Sequence, residues 1–529
     1  MEVPFVDLFA GPGGLSEGFS SYSGALSFRP VLSVEKDAWA HKTLELRNFF
    51  RQFKNGRVPK RYYEYIRGEG ITRDELFSAF PENANKASQI AWHAELGKVP
   101  LQELFERTKE AIGDSNHWVL LGGPPCQAYS TIGRSRMQKM ESFAADQRHT
   151  LYREYLKTVA AMSPTVFLME NVKGILSSRH NNELIFSRIL QDLRDPYAAL
   201  SDRDRQELPG NVIEHKYGIY SFVKEVSRDE ELAPIDYLIE SENYGIPQRR
   251  HRVILLGIRS DYSDPPYPVL EPSGYRYSVD EVIGNLPPVR SHRSSGDTDT
   301  ERWKKQVRRC LSNRQLKTKM FKDVYERMLS AVDNISSFIE DGGQYVKGDF
   351  PPRVLTRWLY DNKLEGVIQH ESRGHMDSDF CRYLFSSAFA DIRGIAPRLE
   401  DFPRSLWPEH VNAVEDDNGR VANFRDRFRV QLSHEPSTTI TAHMRKDGHY
   451  FIHPDPSQIR SFTVREAARL QTFPDNYFFE GPRSRQFEQV GNAVPPYLSY
   501  QLADVVAEVI EGCHDKDHSF QQSEILDFG

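Results

Sequence analysis

The tightest constraint on this chain is the way short apolar, β-prone runs alternate with helical stretches through its first half. Runs at Pro4–Phe9, Pro30–Val34, His117–Leu121, Thr165–Met169 and Arg252–Ile258 are interleaved with helix-patterned segments such as Leu151–Met162 and Asn182–Leu193. Strands covered on both faces by crossover helices read as continuous apolar runs, so the rhythm predicts an α/β fold on a parallel, doubly wound sheet. It breaks off in a stretch rich in Pro, Tyr and Ser from 260 to about 288, which predicts a boundary near 290. Residues 291 to about 430 lack the βα rhythm. Compact α/β character returns after about 433 and ends in an amphipathic helix over Pro496–Gly512. With 529 residues the chain exceeds what one hydrophobic core usually holds, so two domains or an inserted module are expected.

Composition narrows the class. With 39% hydrophobic and 27% charged residues, a globular protein is expected rather than a disordered one. The net charge of -7 argues against an electrostatic nucleic-acid binder of the histone kind, but cations are locally concentrated: Arg302 to Lys322 holds nine Lys or Arg and no acid. A solvated helix face and a phosphate-contacting surface both fit that run. Cys126, Cys310, Cys381 and Cys513 form no C-x-x-C pair, so neither a disulfide framework nor a sulfur-rich zinc site is expected, and no metal site is read. A reducing, cytoplasmic setting follows. The N-terminus lacks a basic region, and the longest clean apolar stretch, Val253–Ile258, is too short to span a membrane. The first motif begins at residue 5, leaving no room for a separate N-terminal regulatory domain.

Four segments carry chemistry. Phe5–Gly18 (FVDLFAGPGGLSEG) reads as strand, glycine-rich turn and helix start, where free N–H groups and bare backbone admit a ligand. Ser16 stands where a dinucleotide fingerprint needs its third glycine. Glu35 ends the next strand, where a ribose-hydroxyl acceptor belongs, so a nucleoside cofactor without a pyrophosphate fits better; a plain tight βα connection is the alternative. In Trp118–Gln127 (WVLLGGPPCQ) a stiff turn places Cys126 at the carboxyl edge of the sheet, although a lone Cys is commonly just a small buried hydrophobe. The polar stretch Ala128–Thr150, with Arg134, Arg136, Lys139 and Arg148, reads as a lid over an anionic substrate. Thr165–Val172 ends a strand in Glu170 and Asn171. In Gln248–Val253 (QRRHRV) alternation places Gln248, Arg250 and Arg252 on one side, facing either solvent or a phosphorylated ligand.

Taken together these motifs resemble the DNA (cytosine-5) methyltransferases. The first segment looks like that family's D-L-F-x-G-x-G-G cofactor loop, Pro125-Cys126-Gln127 its P-C-Q loop, Glu170-Asn171-Val172 its E-N-V acid and Gln248-x-Arg250-x-Arg252 its Q-x-R-x-R strand. Arg465–Gln471 (REAARLQ) and Gln489–Pro495 (QVGNAVP) look like its last two motifs. The family's adenine-contacting acid has no clear counterpart; Glu95, in Glu95-Leu96, is the nearest.

The resemblance implies a Rossmann-like class I methyltransferase sheet with an inserted smaller target-recognition domain. Residues 1–290 and 431–529 would be the two parts of a discontinuous catalytic domain, and 291–430 the insert. It implies S-adenosylmethionine as cofactor, held by Asp7, Phe9, Gly11, Pro12, Gly14, Glu35, Asn492 and Val494. It implies a cytosine flipped out of double-stranded DNA, with Cys126 attacking C6, Glu170 protonating N3, and Asn171, Arg250 and Arg252 supporting them. Gln127, Arg134, Arg136 and Gln248 would bind the substrate. Arg353, Arg357 and Arg373 would reach DNA from the insert. The expected protein is a cytoplasmic, DNA-associated monomer acting in restriction-modification or phage defence, with possible companion proteins there. A tRNA cytosine methyltransferase, which would be smaller, and an inactive DNA-binding relative are the alternatives.

Overall fold

A computed structural model describes the chain except for residues 54–56, 126–146, 181–182, 211, 227–230, 263–266, 294–298, 337–338, 409–424 and 528–529. The centre is an eight-stranded sheet of β1 (Glu2–Leu8), β2 (Ser27–Glu35), β3 (Ala91–His93), β4 (Val119–Gly122), β5 (Val166–Val172), β6 (Tyr217–Ser221), β7 (Leu238–Glu240) and β8 (His251–Arg259). The order is β3-β2-β1-β4-β5-β8-β6, with β7 also paired to β8. From β3 to β5 every pairing is parallel, whereas β8 runs antiparallel to β5, β6 and β7. The expectation of an all-parallel sheet is therefore corrected. Apolar content marks Val253–Ile258 as buried; it carries no information on strand direction.

Helices α1 (Gly14–Ser21), α2 (Ala38–Arg51), α3 (Leu101–Ile112), α4 (Gln147–Met162) and α5 (Ile185–Arg194) follow within the first half. Side chains alternate across the sheet as the two-residue period requires. Val6 and Leu8 of β1 and Leu120 of β4 join the core beneath α3, α4 and α5. Val3 and Phe5 of β1, with Val119 and Leu121 of β4, join the opposite core beneath α1. The second half adds α6 (Thr300–Cys310), α7 (Lys322–Asp333), α8 (Asp377–Arg393), α9 (Val464–Leu470), α10 (Arg483–Asn492) and α11 (Pro496–Asp527). Leu498, Leu502, Val506 and Ile510 of α11 complete the core under β1. This helix runs past Gly512 because Asp517 is anchored by Tyr262 Oη at 3.0 Å and by His117 Nε2 at 3.1 Å.

Between these parts α6, α7 and α8 share a separate apolar cluster, from Trp303 to Ile459. The chain rejoins the first half where Ser437–Thr438 pairs in parallel with Gln248–Arg249. A disulfide joins Cys310 at the end of α6 to Cys381 in α8, which corrects the expectation that no cysteines pair. Their separation of 71 residues is not a sequence signal; helix packing brings them together. Cys513 is a buried free thiol that burial pushes up to about 12. Among the described residues no helix is long and apolar enough to cross a membrane.

Candidate active site

Register places the carboxyl ends of the parallel strands side by side: Leu8 of β1 lies opposite Val34 of β2 and Gly122 of β4, and Gly122 opposite Met169 of β5. The loop after β1 turns sharply, with Phe9, Gly11 and Gly13 at φ 61°, 57° and 94°. Phe9 is the one without a glycine's freedom there, a strained conformation of the kind met at ligand sites. Glu35 ties this loop down, its two oxygens accepting from Gly11 N and Asp37 N at 2.7 Å each. Burial raises its carboxyl while those amides oppose the rise. A Cβ on Gly11 would meet nothing within 4 Å, so the backbone there faces open space that a ligand can enter.

Gly14 serves packing. A Cβ on Gly14 would lie 2.3 Å from the Val494 carbonyl oxygen, and Pro12 is buried, its carbonyl accepting from Tyr477 Oη. Gly14 and Val494 thus bind the first motif to the last, while Asn492, exposed, ends α10 next to them. Gly14→Ala is expected to lose about 1–3 kcal/mol in urea unfolding, because backbone cannot yield as a flexible side chain would.

Alternation aims Asp7 into the core under α1, where Ser16 Oγ donates to its Oδ2 at 2.5 Å and Oδ1 finds no partner. Ser16, noted from sequence only as a missing glycine, thus has a role. Burial raises the Asp7 carboxyl to about 7, against the Ser16 hydrogen bond. A folded carboxyl that keeps its proton more tightly than the unfolded one costs stability as pH rises from about 3.8 to about 7, and no more above that. Asp7→Asn is expected to remove this slope, seen as a urea midpoint that no longer falls between pH 5 and pH 8.

At the β5 edge, Glu170 Oε1 lies 2.8 Å from Arg252 Nε, and both side chains are mostly shielded. A Cβ on Gly123 would lie 3.2 Å from Glu170 Oε2, so this carboxylate faces the backbone that leads into Cys126. Asn171 is buried and accepts from Val172 N at 2.9 Å. Cys126, Gln127, Arg134, Arg136 and most of the expected lid lie outside the described residues.

The QRRHR strand divides differently from its expected one-sided alternation. Gln248 is wholly buried: its Nε2 donates to Leu470 O at 3.0 Å and its Oε1 accepts from Ile440 N at 3.0 Å. Arg250 is buried as well, donating to Ile440 O at 2.8 Å and Gly491 O at 3.2 Å. Both therefore organise the segment joining the two halves, and the expectation that Gln248 faces substrate is corrected. Only Arg252 turns to Glu170.

Behind these groups stands a buried polar frame that sequence reading missed. Arg465 donates to Ile368 O, Pro474 O and Tyr477 O, and Arg469 pairs with Asp475 at 2.8 Å. Glu17, in α1, is held by Arg47 and Arg51; burial would raise its carboxyl, but the two guanidiniums keep it below its ordinary value. Partners 30 to 34 residues away in sequence leave no local pattern to find. Glu95 lies just beyond β3, on the Glu35 side, engaged by Lys98 at 2.7 Å and Lys36 at 3.7 Å. Of the basic run, Lys304 is buried, and Arg302, Lys305, Arg308, Arg309, Arg314, Lys317, Lys319 and Lys322 are exposed. Arg353 pairs with Asp280, Arg373 stacks on Phe487 at 4.6 Å, and Arg357 is exposed.

This order of strands, with one antiparallel member near the edge and a glycine loop and acid at adjacent strand ends, is the Rossmann-like methyltransferase arrangement. The model of the C-5 cytosine-specific DNA methylase family matches residues 77–196 and 235–508. The type II methyltransferase M.Bpa9945I of Bacillus paralicheniformis is 30% identical, covering 96% of this chain and 99% of its own length. The DNA (cytosine-5-)-methyltransferase M.ApeKI of Aeropyrum pernix is 24% identical over 74% of this chain and 81% of its own. A solved DNA modification methyltransferase encoded within an Escherichia coli prophage is 18% identical, covering 96% of this chain and 99% of its own, at a TM-score of 0.46. The chain belongs to the C-5 cytosine-specific DNA methylase family, enzymes that methylate cytosine in DNA.

Proposed function

We propose that this enzyme methylates C5 of a specific cytosine, flipped out of double-stranded DNA, through a covalent bond between Cys126 and C6. The observation that carries the reading is Glu170, which faces both Arg252 and the backbone entering the Cys126 loop. S-adenosylmethionine fits the cradle beside Gly11, with Phe9, Gly11 and Glu35 as its contacts, and when bound it supplies the electrophilic methyl group. C5 of cytosine is too poor a nucleophile to be methylated unaided. The Cys126 thiolate would add to C6 while Glu170 gives a proton to N3, concentrating electron density on C5. After methylation N3 would return its proton to Glu170, and loss of the C5 proton to a water acting as base would expel the thiolate and restore the ring. Arg252 would fix the Glu170 carboxyl, and Asn171 would hold the strand end in place. Arg250 would act as a positioning residue.

In this reading, 1–290 and 431–529 form the catalytic domain and 291–430 the part that reads the DNA, with the exposed cations of the Arg302–Lys322 run available to phosphates. Gln127, Arg134 and Arg136 would meet the flipped nucleotide. The role would be modification in a restriction-modification or phage-defence setting, carried out by a monomer. Purified protein should transfer labelled methyl from S-adenosylmethionine to duplex DNA and not to tRNA, and bisulfite sequencing of DNA from an expressing host should show one methylated sequence context. Label in tRNA alone would overturn the substrate, and label in neither would overturn the activity.

A further inference from the structure

Glu240, Glu242 and His251 come together beside the catalytic crevice, each offering one ligand atom within 4.8 Å of the others. Glu240 ends β7 and sits opposite His251, the first residue of β8, in antiparallel register. Glu242 lies in the short helix Ser241–Tyr244 between them. His251 Nε2 is 3.0 Å from Glu242 Oε1, and its Nδ1 is 3.8 Å from Glu240 Oε1.

The second observation concerns Glu242 alone. It is 4% exposed, yet its Oε2 has no hydrogen-bond partner. A buried carboxylate oxygen with no donor is costly. A cation set among the three groups would give it a partner.

We propose that Glu240, Glu242 and His251 form a binding site for a divalent transition metal of the zinc class. One imidazole nitrogen and two carboxylate oxygens form a borderline donor set that suits such an ion and does not suit magnesium. Zinc bonds of about 2.0–2.2 Å suit the 3.0 Å between His251 Nε2 and Glu242 Oε1 and require Glu240 to come closer. The Glu240 side chain, 43% exposed, is the arm free to close. Water takes the remaining position on the open side. The ion clasps the end of β7, the following turn and the start of β8, one residue before Arg252. It braces the strand that carries Arg252 without touching Glu170.

The test uses the full chain, stripped with EDTA, with neither DNA nor methyl donor present. Calorimetry should find one tight equivalent of Zn2+ and none of Mg2+, and thermal unfolding should shift upward by several degrees with Zn2+. Glu240→Gln, at a partly exposed position, should leave the metal-free Tm unchanged while weakening zinc at least about tenfold, and His251→Gln should abolish the tight equivalent. Absence of zinc binding by the wild type, or equal binding by both variants, would overturn the proposal and leave an ion-paired cluster.

Discussion

Cys126→Ala should lose methyl transfer by at least about 10^4-fold, the scale on which removing a covalent nucleophile acts. The size of the loss follows from the chemistry, since without the bond to C6 no other group among Asp7, Glu35, Glu170 or Arg252 can raise the electron density on C5. Duplex DNA carrying 5-fluorocytosine at the target separates the covalent role from mere packing. Fluorine cannot leave as the C5 proton does, so the wild type should be trapped as an adduct stable in SDS and the variant should not. An adduct formed equally by Cys126→Ala would overturn Cys126 as the nucleophile, and no adduct with wild type would sink the covalent mechanism. Binding of unmodified DNA by the variant, measured by gel shift, should stay close to that of wild type, because the thiol is small.

The largest effect on stability is expected at Arg460. Its guanidinium is 1% exposed and meets both oxygens of Glu466 at 2.7 Å, while donating to Val289 O at 2.8 Å. Burial would raise the Glu466 carboxyl, but Arg460 and then His453 hold it well below the carboxylate range. Arg460→Met strands that carboxylate, and breaking a buried pair from one side costs about 3–5 kcal/mol. The pH dependence identifies the cause. In wild type the contribution of Glu466 is fully present above its ordinary value near 4.5 and is lost as pH falls below it. In Arg460→Met burial is opposed only by the weaker help of His453, His370 and the Thr463 amide, so the folded carboxyl holds its proton more tightly than in wild type and the stability deficit should shrink as pH falls from 8 toward 5. A deficit that stays constant over that range, measured by urea unfolding, would refute the stranded charge as its source.

What could be read from the chain divides along physical lines. The glycine loop, Glu35 and Glu170 were legible because each sits at the end of a short apolar strand, and neighbouring residues supply the whole signal. The destination of Arg250 was not. The same QRRHR letters serve an arginine facing a ligand and one facing carbonyls of Ile440 and Gly491, and only the return of the chain after Ser437 decides between them. The direction of β8, the Cys310–Cys381 bond and the Arg460–Glu466 frame share that dependence on distant packing. The cationic run was visible by composition, but the buried place of Lys304 followed only once Trp303, Val307 and Cys310 were seen to face the core.

The seam between α1 and α11 sets a timetable. Ser499 Oγ donates to Leu15 O across 484 residues, and the backbone around Ser499 fills the space a side chain on Gly18 would need. At about 5–20 residues per second, a ribosome takes roughly 25–100 s to produce the partner that α1 awaits. Until then the apolar cluster that α11 shares with β1 and α1 is incomplete. The glycine loop at the end of β1 packs through Gly14 against Val494, just ahead of α11, so a chain cut before that point is expected to have no finished cradle.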